Sequence, residues 1–398
     1  MSYTIADRYL IKKLNTNSIL KVVLEKGAVS RADIAKILNL TPATVSSNIN
    51  SLIRDGLVHE VGIGSSNGGR KPMMIELNEN GKLFIGVDIH KDGVEAAIVN
   101  LAGKILARSE RQFNGHSTEF EDDVVACIRN VRDFLPNMKL DGIGVGMHGI
   151  VDTNQSISIY APAMSRRNIA LKDYIEKKES LPVFIDNDAN AMAIGESWFG
   201  QAKGVRNYIF LNVGRGIGSG IVINGELFHG NRYAAGEIGH IRVVESGRRC
   251  VCGKYGCLDT VATEYSIIRD VINAIHTGVS SSITELSKGD LSTIDLNMLK
   301  EAARLGDKCV LEALDKMGRY IGVAVSYAIN MMNPGMIVFG GSMSVLGEYI
   351  IESIRSTAIN LSLDECAEGV FIVISSLRDN AGVVGAASLG MQNLFKST

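Results

Sequence analysis

Apolar positions at the start of the chain recur at helical spacing three times in quick succession. Over 15–25, Ile19, Leu20, Val23 and Leu24 fall on one face. Ser30 then stands as an N-cap with Asp33 three residues on, and Ile34, Ala35 and Leu38 form the inner face of a short second helix. Asn39-Leu40 makes a tight turn, and Thr41 caps a third helix with Pro42 at its first position. Val45, Ile49, Leu52 and Ile53 point inward, which leaves Ala43, Thr44, Ser46, Ser47, Asn48 and Asn50 outward. Asp55-Gly56 ends the helix, and 57–62 and 71–77 read as two strands of a hairpin. Their connection, 63–70, is rich in glycine and serine and ends in Arg70. Three helices and a hairpin predict a winged helix-turn-helix over 1–80.

The outward face of the third helix is short, polar and uncharged, which suits hydrogen bonding to base edges. In a major groove it would present Thr41, Ala43, Thr44, Ser46, Ser47 and Asn48; Arg70 and Lys71 would lie near phosphates or a minor groove. The alternative is a small helical bundle used for dimerisation or packing. The short second helix, the capped polar third helix and the Gly-Gly-Arg wing favour operator DNA as the partner.

From Leu83 onward, strands alternate with helices, the pattern of an α/β protein. Strand-like runs cover 83–90, 94–100, 104–109, 142–147, 182–185, 207–213, 218–223, 336–340 and 370–374. Helical runs cover 119–134, 189–199, 263–276, 297–304, 309–330, 344–360 and 380–394. The chain also repeats itself. FIGVDIHKDGVEAAIVNLAGKIL (84–106) and YIFLNVGRGIGSGIVINGELF (208–228) share one layout of strand, turn, strand, turn and strand. Two similar lobes facing across a cleft are expected, with both first turns at its mouth.

Composition narrows the class. A chain of 398 residues holds two or three domains at roughly 150 residues each. Apolar runs such as 210–213 and 337–339 fall far short of the ~18 residues that a membrane span needs. The N-terminal segment lacks the apolar core and cleavage site of a signal peptide, so the expected location is cytoplasmic with no membrane partner. Net charge is −2, but residues 1–80 hold ten Lys/Arg against seven Asp/Glu and the remainder 31 against 36. A mildly basic head on an acidic body agrees with nucleic-acid contact at the head.

The six cysteines divide into Cys127, Cys309 and Cys366, scattered and expected in the core, and three crowded into 250–257. A disulfide framework does not suit a cytosolic chain. His240 with Cys250, Cys252 and Cys257 offers one imidazole and three thiolates, a tetrahedral set suited to Zn²⁺. Arg248, Arg249 and Lys254 would ease thiolate formation. Four protein ligands close a metal to water, so the expectation is one structural zinc per chain, holding the loop that carries Glu237 and His240. A reduced, metal-free cluster is the alternative, disfavoured by repulsion among packed thiolates.

The winged helix, APAMSRRNI (161–169), IDNDANAMAIGE (185–196), GRGIGSG (214–220), AGEIGH (235–240), CVCGKYGC (250–257) and GGS (340–342) together resemble the ROK family, bacterial sugar kinases and sugar-responsive repressors. The head is similar to that of the repressor branch, xylose repressors in particular. The resemblance implies a duplicated actin-like, ribonuclease H-like fold. Its first lobe would span 81–200, completed by a C-terminal helix near 380–398, and its second lobe 201–379 with the zinc site. It also places a sugar pocket on Asn187, Asp188, Glu237 and His240, with Asp259 where the family has a glutamate. Asp188 matches the kinases' catalytic base. His240 would bind zinc through one ring nitrogen and reach the sugar with the other. Taken singly, Asp186 and Glu196 read as solvated loop carboxylates.

Departures from the family pattern are equally informative. The kinase phosphate turn carries glycines and a threonine where this chain has His90, Lys91 and Asp92, and Arg215 replaces a threonine in the second turn. Met147-His148 replaces Pro-Gly, and Ala163 an asparagine that contacts sugar. Bulky side chains at 90 and 91 would block a backbone cradle, and Asp92 would repel a polyphosphate. The expectation is therefore a repressor of carbohydrate-use genes with a monosaccharide effector in the cleft, not an enzyme, working as a homodimer or tetramer. The alternative is an ATP-dependent sugar kinase with an appended DNA-binding head.

Overall fold

A computed structural model describes residues 8–63, 72–113, 120–161 and 166–394. The head has helices Arg8–Lys26, Arg31–Leu38 and Pro42–Arg54 and strands β1 (Val29–Ser30), β2 (Val58–Ile63) and β3 (Met73–Leu77), ordered β1-β3-β2. Its caps are those read from sequence. The Ser30 hydroxyl accepts from Asp33 N–H at 3.1 Å, and that of Thr41 from Thr44 N–H at 3.2 Å. Asn39 closes the second helix at φ 52°, a left-handed conformation that asparagine tolerates. Ile19, Leu20, Val23, Ile34, Val45, Ile49, Leu52 and Ile75 fill the core between helices and wing.

The body opens with β4 (Leu83–His90), β5 (Gly93–Asn100) and β6 (Ile105–Gln112), an antiparallel meander. β7 (Gly142–Met147) joins β4 in parallel. A small antiparallel sheet of β8 (Ile150–Asp152), β9 (Ile157–Ala161) and β10 (Arg166–Ile169) precedes β11 (Val183–Asn187), giving a main sheet ordered β11-β7-β4-β5-β6. The second lobe repeats the plan. β12 (Tyr208–Val213), β13 (Ile217–Ile223) and β14 (Glu226–Leu227) form the meander, and β15 (Met336–Gly340) and β16 (Phe371–Ile374) add in parallel, in the order β14-β13-β12-β15-β16. The helix Leu171–Glu179 was missed in the sequence, and so were the three strands of the small sheet, because strands of three to five residues carry too few alternations to register.

Two helices bind the lobes together. Asp188–Phe199 leaves the first sheet and packs on β12 and β13 of the second, while Ala381–Gln392 leaves the second and packs on β4 and β7 of the first. Close approach requires glycine on the sheet. A methyl at Gly86 or Gly144 would stand 1.8 Å from Val383 O or 1.7 Å from Ala386 O. The head rests on the first lobe. Leu101 N–H donates to Glu79 O at 2.9 Å, the Asn100 amide donates to Asn80 Oδ1 at 2.9 Å, and one apolar cluster runs from Leu57 and Ile75 to Leu101, Val383 and Met391. Among the described residues no helix is long and apolar enough to cross a membrane.

Candidate functional site

The third helix of the head presents Thr41, Ala43 and Ser47 fully and Thr44 and Ser46 in part. Asn48 does not belong to that face. It is 3 % exposed; its amide donates to Thr44 O at 2.7 Å, and its Oδ1 accepts from the Thr16 hydroxyl at 2.5 Å. The helical wheel had set it outward, but a polar partner on the first helix draws it into the core. Asn50 is exposed and accepts from Arg31 at 3.1 Å, so a guanidinium that the sequence did not single out stands beside the reading helix. Arg70 and Lys71 lie outside the described residues, as does Ala163.

In the body, β11 ends in Asp186-Asn187 and the next helix begins at Asp188. Asn187 is the N-cap: its Oδ1 accepts from Asn190 N–H at 3.2 Å and its amide donates to Gly149 O at 2.9 Å. Asp188 accepts from Asn212 Nδ2 of the other lobe at 3.1 Å. Glu237 and His240 flank a single turn of 3-10 helix, with His240 Nε2 3.9 Å from Glu237 Oε2. Asp259 accepts from Ile217 N–H at 2.9 Å and stands 3.8 Å from His240 Nδ1. Burial pushes the Glu237 carboxyl up, opposed by His240 and His148 and reinforced by Asp188 and Asp259. Burial likewise raises Asp259, opposed chiefly by His240. Asn187, Asp188, Glu237, His240 and Asp259 thus stand near one another between the lobes, Asp188 and Asp259 partly buried and Glu237 exposed, and carboxylates are strong hydrogen-bond acceptors for hydroxyls. His148 and Asn212 join them, and Asn212 was readable from the internal repeat, which aligns it with Asp88.

Asp186 and Glu196 are not solvated, contrary to their reading as loop carboxylates. Asp186 is 4 % exposed and Glu196 is fully buried. Asp186 accepts from Asn187 N–H, Asn190 Nδ2 and His229 Nε2 at 2.7, 2.9 and 2.8 Å. Glu196 accepts from Gln201 N–H at 2.8 Å and from the Ser375 hydroxyl. At the other end of the cleft, Arg215 of the β12–β13 turn forms an ion pair with Asp92 of the β4–β5 turn. His90 lies beside them, its pKa lowered by burial and then by Arg215. A separate concavity of about 510 Å³ between β16 and the helix Gly347–Leu361 is lined by Arg355, Arg378, Gln201, Ser375, Ser376 and aliphatic side chains. It holds none of the cleft chemistry.

Next to the cleft, ligand atoms of His240, Cys250, Cys252 and Cys257 all lie within 4.8 Å of one another. Cys252 Sγ is 3.7 Å from Cys257 Sγ, and Cys250 Sγ is 3.6 Å from His240 Nδ1. Sulfurs bound at ~2.3 Å to one tetrahedral ion sit about 3.8 Å apart, so the cluster fits a metal. Nδ1 faces the thiols and Nε2 faces Glu237. The tip turns tightly at Gly256, where a Cβ would meet Val244 O at 1.8 Å. Cys127 and Cys309 are buried and Cys366 is partly so.

A winged helix with an exposed reading face, carried on a duplicated two-lobe body with a polar cleft and a Cys₃His cluster, defines a DNA-binding regulator built on a sugar-kinase scaffold. A winged helix-turn-helix DNA-binding profile matches residues 14–59, and the ROK family profile matches 84–393. The chain belongs to the ROK family. It is 32 % identical over 396 residues to the xylose repressor of Bacillus spizizenii, covering 98 % of both chains. A solved ROK family transcriptional regulator, a homolog of the E. coli MLC protein, superposes with a TM-score of 0.81 at 29 % identity over 97 % of both chains. The body alone superposes on a ROK glucokinase from Streptomyces griseus in complex with glucose and AMPPNP. There the TM-score is 0.72 and the identity 30 %, over 78 % of this chain and 99 % of that one.

Proposed function

We propose that this chain represses carbohydrate-use genes and that a monosaccharide held between the lobes controls its grip on operator DNA. The observation that carries this reading is the convergence of Asn187, Asp188, Glu237, His240 and Asp259 on one interlobe cleft, in a molecule whose head exposes a polar reading helix. Similarity to a xylose repressor and to a glucokinase that holds glucose supports a sugar as effector. The sugar would favour one lobe arrangement, and the head, hydrogen-bonded to the first lobe, would move with it. A coupling of about 1–3 kcal/mol weakens operator binding ~5- to 150-fold. A cytoplasmic homodimer or tetramer would read a pseudo-palindrome through paired heads.

The metal is Zn²⁺ in this reading, since three thiolates and an imidazole suit it best. Cys250, Cys252, Cys257 and His240 would hold it, and its chemistry is structural, with no ligand position left for water.

We further propose that the chain is not a kinase. The Arg215–Asp92 pair joins the two turns that would have to receive phosphates. Phosphoryl transfer depends on a held, in-line donor, and Asp188 alone supplies only a base. The test has two parts. A thermal-shift screen of pentoses, hexoses and amino sugars should give a clear rise in melting temperature with at least one. That sugar should release the chain from its own promoter region in a gel shift. Phosphorylation of any sugar with Mg-ATP, abolished in Asp188→Asn, would instead establish the kinase reading that the glucokinase similarity keeps in play.

A further inference from the structure

The polar cleft draws on both lobes, and a partly buried hydrogen bond joins its halves at Asp186 and His229. Asp186 precedes Asn187 and Asp188 on the first lobe, and its Oδ2 meets His229 Nε2 of the second lobe at 2.8 Å. Its Oδ1 is spent on Asn187 N–H and Asn190 Nδ2, so the carboxylate locks the local backbone that aims Asn187 and Asp188. His229 is equally committed on its own side. Its carbonyl accepts from Ala235 N–H at 3.1 Å, closing the loop 229–235, and Gly236 and Glu237 follow at once. The Tyr233 ring meets the His229 ring edge-on at 6.1 Å within that loop. Gly236 O is held in turn by Ser219 N–H and hydroxyl at 3.0 and 2.8 Å. His229 therefore meets Asp186 through its ring and Ala235 through its backbone carbonyl. It stands one residue from the first-lobe binding pair and two from the second-lobe acid.

We propose that Asp186 and His229 are positioning residues. They hold Asn187 and Asp188 in register with Glu237 across the cleft, and the recognition of a monosaccharide depends on them although neither is among the residues that would touch it. This rests on the effector reading above. An interlobe tie of this kind is stronger than a surface ion pair, because Asp186 is 4 % exposed and a buried acceptor left without its donor is costly. Removing the imidazole loosens both halves of the site together, whereas a glutamine amide in its place can still donate to Asp186.

The test uses the full chain with D-xylose, D-glucose and N-acetyl-D-glucosamine as probes, together with duplex DNA of its own promoter region. Calorimetric titration should show His229→Ala binding the preferred sugar at least about tenfold more weakly than the parent, with His229→Gln recovering to within about threefold. Sugar-free promoter affinity should stay unchanged in both. A His229→Ala chain that binds the sugar within twofold of the parent overturns the proposal. So does parallel loss of promoter affinity and melting temperature, which marks a merely structural role. If none of the three sugars binds the parent, the effector reading falls, and amide hydrogen exchange decides the positioning claim on its own. Coordinated loss of protection over 186–190 and 235–240 in His229→Ala supports it; loss confined to 229–235 overturns it.

Discussion

The first strands of the two lobes repeat one design with opposite chemistry. Phe84 aligns with Tyr208, Asp88 with Asn212, His90 with Gly214 and Asp92 with Gly216, and each strand pairs in parallel with the fourth strand of its own sheet. The second lobe keeps an amide and a glycine turn. Asn212 donates to Asp188, Gly214 N–H donates to Gly216 O at 3.0 Å within the turn, and Gly214 O accepts from Glu264 N–H at 2.9 Å. The first lobe has an acid and three bulky polar residues. Asp88 is pushed up to about 8 by burial, with Asp188 and Glu95 adding like charge, and Asp92 reaches across to Arg215. A shared backbone has thus been divided in use. The second lobe carries the Cys₃His loop and four of the seven polar residues named at the cleft, Asn212, Glu237, His240 and Asp259, while the first supports the head and bears a carboxyl that burial pushes toward its neutral form.

The largest effect expected from breaking this division lies in the second lobe. Cys252→Ser should remove the metal, and metal analysis should fall from about one Zn per chain to none. Loss of a metal-bound loop costs several kcal/mol, so the melting temperature should drop by roughly 10 °C or more. Sugar binding should go with it, because the loop sets His240 against Glu237. Retained sugar binding in a metal-free chain would separate the loop from the site.

A smaller effect belongs to Asp88. Its folded-state pKa is raised above the ordinary 3.8, so the stability tied to its neutral form is present below that value and lost as pH climbs toward 8. Asp88→Asn copies Asn212 and keeps the neutral state at every pH. The variant should match the parent in urea near pH 4 and exceed it by on the order of 2–5 kcal/mol above pH 8. Equal slopes of stability against pH for the two chains would mean that Asp88 is charged in the fold.

The smallest effect is expected at the cleft mouth. Arg215 and Asp92 are half exposed, and such pairs contribute about 0–1 kcal/mol. Arg215→Gln should shift stability within that range and less so at high salt. It should not create sugar phosphorylation, since His90 and Lys91 still fill the turn. Measurable turnover in Arg215→Gln would show that one ion pair alone had silenced a kinase.

Much of the fold was legible because local signals agreed. The caps at Ser30 and Thr41, the switch from helical to strand period at Leu83 and the repeated meander each carry their own pattern. The Cys₃His cluster was legible too, because three thiols within 250–257 leave little freedom in how they meet. Asn48 misled, since its burial is owed to Thr16, thirty-two positions away. Asp186, Glu196 and His229 gave no sign, as a polar side chain looks alike in sequence whether it meets water or a distant partner.

The sequence by itself determined most of the elements, the duplication, the candidate metal-ligand set and the absence of glycine from positions 90–92 of the first-lobe turn. These follow from spacing and residue type, which act over a few positions. Tertiary structure alone decided which polar groups are buried, how the lobes are tied through Asp186–His229 and Arg215–Asp92, and why Asp88 resists ionisation. Those properties depend on desolvation and on partners brought from the other half of the chain, and neither is written in local order.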